Sequence, residues 1–170
     1  MQREFRHSLK NHFKEFEFSI STTLMGLTTL IIIQVYAREF MGSFFTVFVL
    51  VTFLPVIYLY IEYYSFNKKG ATFKIDCVKA EIVYTDKKSS QIVKFDEIDE
   101  VWIHATLFWT RSDRAKRLPF EQFHYARIYT KKGEIIVSSH LADNVKDAVK
   151  SIPNVRIEQT SKIFPSILLE

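Results

Sequence analysis

Between Glu17 and Glu62 the chain carries only two charged residues, the adjacent Arg38 and Glu39. Phe18 to Ala37 and Phe40 to Ile61 are each free of Asp, Glu, Lys, Arg and His. At about 1.5 Å per helical residue, either run covers the ~30 Å hydrocarbon core of a bilayer. A backbone in lipid must satisfy its own hydrogen bonds, so two such runs in series predict a transmembrane helical hairpin over residues 18–65. The second run is the more apolar, with Pro55 inside it and Tyr58, Tyr60, Tyr63 and Tyr64 near its far end, where amphipathic rings suit a headgroup layer. The first is richer in hydroxyls, and Thr22, Gly26 and Thr29 would let a second helix approach closely.

Basic residues set the expected orientation. Arg3, Arg6, Lys10 and Lys14 precede the first run, and Lys68, Lys69, Lys74 and Lys79 follow the second, with Arg38 alone between them. The positive-inside rule then predicts a multi-pass protein of the inner (cytoplasmic) membrane with both termini in the cytoplasm. The acidic residues Glu4, Glu15 and Glu17 and the Val35-Tyr36-Ala37 sequence argue against a cleaved secretory signal. Within residues 1–17, Phe5, Leu9, Phe13 and Phe16 recur at helical spacing, which predicts an interfacial amphipathic helix. A lone Cys77 can form no internal disulfide, and its alternation with Phe73 and Ile75 predicts a buried core thiol.

From Ala71 the pattern changes to period two. Phe73 and Ile75 alternate with Lys74 and Asp76, and Val101, Ile103, Ala105 and Leu107 form a longer alternating run. Strands are expected at Glu81–Thr85, Gln91–Phe95, Phe123–Tyr129 and Ile135–Ser138. Asp86-Lys87-Lys88-Ser89 and Thr130-Lys131-Lys132-Gly133-Glu134 form the turns, with Gly133 at a left-handed position. Leu141, Val145, Ala148, Val149 and Ile152 share one helical face, with Ser139 as a cap and Pro153 as a stop. Val155 and Ile157 alternate briefly beyond it.

Short antiparallel strands closed by one helix describe a small barrel. Ala71-Thr-Phe-Lys-Ile75, Glu81-Ile-Val-Tyr84, the strand-to-turn step Ile92–Val101 and the hairpin-plus-helix Ala126–Ile152 span most of residues 66–155, within a domain expected over 66–170, and give it a pattern that resembles the bacterial pleckstrin-homology-like (PH-like) membrane proteins. The resemblance implies a membrane α-helical hairpin followed by a small antiparallel PH-like β-barrel or sandwich closed by a C-terminal helix. The first functional reading is a membrane-anchored, non-catalytic interaction module that docks a protein partner at the inner membrane face.

The strongest candidate surface is Thr110–Arg117, a basic stretch without glycine, where the family often has a Gly-containing turn. Trp109, Arg111, Arg114, Lys116 and Arg117 combine guanidinium and ammonium groups with an aromatic ring. That chemistry suits a protein partner or anionic lipid headgroups; a self-assembling homo-oligomer in the membrane is a further alternative. His104, His124 and His140 have no ligand spacing, and Asp96-Glu97-Asp99-Glu100 lacks the pattern of a calcium loop. Glycine-rich phosphate loops and nucleophile–base arrangements are absent, so no cofactor, catalysis or small-molecule substrate is expected. The net charge of +4 comes from interspersed signs, which gives nucleic acid no one-sided face.

Overall fold

The computed structural model describes residues 2–6, helical residues at 21, 24–26, 28, 29, 31, 32 and 35, and then 41–68, 70–87, 89–106 and 123–169. Two four-stranded sheets make the framework. Strands β1 (Gln2–Arg6), β2 (Thr72–Asp76), β3 (Glu81–Thr85) and β4 (Ser90–Lys94) form the first in sequence order, all antiparallel. The second holds β5 (Ile98–Thr106), β6 (His124–Thr130), β7 (Gly133–Ser138) and β8 (Arg156–Lys162) in the order β7-β6-β5-β8. Helix α1 (Met41–Phe66) lies between β1 and β2 in the chain, and the short α2 (Val145–Val149) precedes β8.

The alternation seen in the sequence is what builds the interior. Phe73 and Ile75 of β2, Ile82 of β3, Val93 of β4, Val101 and Ile103 of β5, Ala126 and Ile128 of β6, and Ile135 and Val137 of β7 meet between the sheets. Leu141, Ala142, Val145, Ala148, Val149 and Ile152 close that core. Turns follow local chemistry. Asp76 Oδ1 accepts from the Val78 and Lys79 amides (3.0 and 3.2 Å), ending β2, and Gly133 takes a φ of 132° at the β6–β7 turn, where a side chain is disfavoured.

Several expectations are corrected. Gln2–Arg6 forms an edge strand rather than the start of an interfacial helix: Phe5 lies opposite Phe73 and stacks on it at 6.2 Å. Pairing with β2 satisfies the backbone groups of β1 that face it and partly buries Phe5. Leu9, Phe13 and Phe16 lie outside the described residues.

Among the described residues no helix is long and apolar enough to cross a membrane. This overturns the transmembrane hairpin and, with it, the multi-pass inner-membrane location and its cytoplasmic termini. At the second apolar run, α1 continues to Phe66 and buries Val56, Leu59 and Tyr63 against the outer face of the second sheet. Aliphatic and aromatic side chains suit a protein seam as well as a bilayer, so composition alone misassigned them. Three of the tyrosines expected at a headgroup layer serve this seam: Tyr63 is fully buried, Tyr60 packs against the cluster and Tyr58 packs on Phe164. In the first run, the Thr29 hydroxyl donates to the Met25 carbonyl of its own helix (2.8 Å), leaving it committed within that helix.

The closing helix is also shorter than expected. Asn144 caps it, its Oδ1 accepting from the Asp147 amide (3.2 Å), and residues 139–141 form turns instead. The anticipated apolar face is buried all the same, because turns can present it without a continuous helix. The chain then adds β8 alongside β5 in parallel, with Val101 opposite Ile157, so the second sheet is not wholly antiparallel. Cys77, expected in the core, is exposed, because β2 ends at Asp76 and the thiol falls in the turn.

Candidate docking groove

The sequence-predicted surface residues Trp109, Arg111, Arg114, Lys116 and Arg117 lie outside the described residues. Their connection is rooted at Thr106, the last residue of β5, and at Phe123, just before β6. The three central histidines are all buried but serve different elements. His104 stacks on Tyr125 at 4.7 Å, His124 Nε2 accepts from the Val145 amide (3.4 Å), and His140 lies against Tyr60 at 5.1 Å. Among the described residues no group of three His, Cys, Asp or Glu side chains could hold a metal ion.

The most developed polar architecture lies where α1 meets the second sheet. Sheet residues pointing outward there are aromatic or aliphatic: Phe123, Tyr125 and Ile136 join Val56, Leu59, Tyr63 and Ile167 in a second buried cluster. A sheet covered on both faces reads as nearly continuous apolar sequence, and Ile135-Ile136-Val137 is the local example.

Asn67, fully buried just past the end of α1, fastens this arrangement. Its Nδ2 donates to the Ile136 carbonyl (2.9 Å) and its Oδ1 accepts from the Ser138 amide (2.8 Å). The side-chain amide thereby stands in for a peptide group of a neighbouring strand along the free edge of β7. Nδ2 also donates to Tyr84 Oη (3.1 Å), and that hydroxyl donates to the Phe66 carbonyl (3.2 Å), so one amide ties both sheets to the helix. Burial pushes the Tyr84 phenol above its usual value, against the opposing pull of the Asn67 hydrogen bond.

Beside this junction, residues 163–169 run across a groove between α1 and β6 and are held largely by their main chain. Tyr63 Oη donates to the Pro165 carbonyl (2.7 Å), Tyr125 Oη to that of Ser166 (3.0 Å) and Arg127 Nη2 to that of Ile167 (2.6 Å). Glu62 Oε1 accepts from the Ser166 hydroxyl (2.9 Å) and the Leu168 amide (2.6 Å). Ile167 fills the apolar floor, and the Ser166 amide turns back to the Phe164 carbonyl (2.9 Å) around Pro165.

A model of the PH domain family matches residues 4–146. The chain belongs to the PH domain family. No curated protein matches it. The match runs from β1 into α2, so α1 sits in this PH domain between strands that pair directly, while β8 and residues 163–169 lie beyond the matched span. The expected PH-like domain is therefore shown, built as two four-stranded sheets, while the helical membrane anchor joined to it is overturned. PH domains are in general interaction modules rather than catalysts.

Sequence reading missed Glu62, Asn67, Tyr125 and Arg127 as a working set. The available signals were an acidic residue at the end of an apolar run and aromatic residues at the outward positions of β6.

Proposed function

We propose that this PH domain is a non-catalytic interaction module that docks a protein partner. The observation that carries the reading is the groove of α1 and β6, whose side chains bind the main chain of an irregular peptide segment through four hydrogen bonds, with a fifth from the Ser166 hydroxyl to Glu62. Recognition of main-chain groups with one apolar anchor is how protein modules hold peptide segments. The basic connection with Trp109, Arg111, Arg114, Lys116 and Arg117 would supply the complementary charge: it ends at Phe123, which belongs to the same apolar cluster, and would draw an acidic partner surface toward the groove. Exposed Leu54, Ile57 and Ile61 on α1 add apolar contact area.

The test is crosslinking of the tagged full-length chain in its native cells, followed by mass spectrometry. One stoichiometric protein is expected, and charge reversal at Arg111, Arg114, Lys116 and Arg117 should remove it. Recovery of the chain alone would defeat the reading. Binding to phosphatidylserine vesicles that depends on those four residues, with no protein recovered, would transfer the loop to anionic lipid.

A further inference from the structure

We propose that the α1–β6 groove is a peptide-recognition site occupied by residues 163–169 as a built-in competitor, and that its external ligand is a proline-bent partner segment with an aliphatic anchor and hydrogen-bond donors for Glu62. The inference deepens the protein-docking reading by naming the partner's chemistry.

The groove recognises peptide in a general way. The Pro165, Ser166 and Ile167 carbonyls each receive a side-chain donor, and the Leu168 amide donates to a carboxylate. None of these contacts depends on the identity of a ligand side chain. Sequence preference comes from the turn at Pro165, the Ser166 hydroxyl on Glu62 and the pocket that leaves Ile167 only 2% exposed.

The resident segment fits this site incompletely. Ile163, Leu168 and Leu169 are 92%, 64% and 70% exposed, so much of its apolar surface gains nothing from being seated. Glu62 is 4% exposed, yet its Oε2 is buried without a hydrogen-bond partner among the described residues, while both donors from the segment converge on Oε1. A buried acceptor left unpaired is unfavourable. A ligand that also donates to Oε2 gains an interaction that the resident segment leaves unmade. The tethered segment nevertheless competes at an effective concentration on the order of millimolar, which hides the site from a free peptide.

The probe is a fluorescein-labelled synthetic peptide with the sequence of residues 161–169, titrated into the full-length chain and followed by anisotropy. Ile167→Asp in the chain removes the resident anchor and leaves the groove intact; this variant should bind the peptide at least tenfold more tightly than the unaltered chain. Adding Tyr63→Phe and Tyr125→Phe should weaken that binding at least tenfold. A folded Ile167→Asp chain that binds no better than the original would make the segment a permanent part of the fold and overturn the proposal.

Hydrogen exchange on the unaltered chain decides the matter independently of how that variant folds. The Leu168 and Leu169 amides should exchange at least a hundredfold faster than those of β6; equal protection overturns the proposal. Peptide binding that fails while the crosslinked partner is retained sinks the groove alone. Peptide binding that holds while no partner is recovered sinks docking through the basic loop and leaves the groove standing.

Discussion

The two faces of the second sheet are built differently. The inner face is aliphatic and closes against the first sheet through Val101, Ile103, Ala126, Ile128, Ile135 and Val137. The outer face is aromatic and polar, with Phe123, Tyr125, Arg127 and Ile136 meeting α1 and residues 163–169. The inner face holds by area removed from water, which tolerates little loss of volume. On the outer face, directional bonds from Tyr63, Tyr125, Arg127 and Glu62 fix the position of a segment with modest burial of its own. The same sheet thus has one face held by buried area and one held by directional bonds.

Truncation in the inner face should have the largest effect. Phe73→Ala removes a fully buried ring from the core between the two sheets and should cost about 3–5 kcal/mol in urea denaturation, with every probe reporting one transition. If that loss were confined to hydrogen exchange near the strand, the inner face would not be the global core. Asn67→Ala comes next. It leaves the Ile136 carbonyl and Ser138 amide without their buried partner and should cost about 2–4 kcal/mol, with faster exchange along β7. Retention of full protection there would mean that the β7 edge does not depend on the side-chain amide.

Tyr63→Phe tests the outer face. Loss of the bond to the Pro165 carbonyl should cost about 1 kcal/mol and speed exchange at residues 163–169 while β5 and β6 stay protected. Uniform acceleration across the sheet would erase the distinction between the two faces.

The pH predictions are finer. The Tyr84 phenol is raised above its ordinary value near 10, chiefly by burial. Its contribution to stability is therefore complete below the unfolded value and declines as pH rises through the folded one. Tyr84→Phe should flatten this alkaline loss in thermal melts. At the other end, the Lys79 amide, then that of Val78 and the Lys79 and Lys74 charges, hold the Asp76 carboxyl below its usual 3.8 against desolvation. That contribution is present above the unfolded value and disappears as pH falls through the folded one. Asp76→Asn should reduce the acid dependence slightly, and an unchanged acid limb would remove Asp76 from the account.

Much of the two-sheet framework was legible because its strands alternate and its turns carry their own chemistry. β3 falls on the expected Glu81–Thr85, and Gly133 holds the turn that its position in the sequence implied. The first strand was not legible: Phe5 repeats with Leu9 and Phe13 at helical spacing, and only β2, far along the chain, supplies the competing pairing. The groove was less legible still. Ser166 meets Glu62, and Arg127 meets Ile167, across separations that no local pattern encodes.

By itself the sequence determined the period-two strands, the turns between them and the apolar stretch that cannot be left fully in water, because each depends on neighbours within a few residues. Tertiary structure decided what that stretch packs against, which face of β6 receives residues 163–169, and that a single asparagine closes the β7 edge. Those outcomes depend on distant groups meeting at hydrogen-bonding distance, and the chain acquires that geometry only by folding.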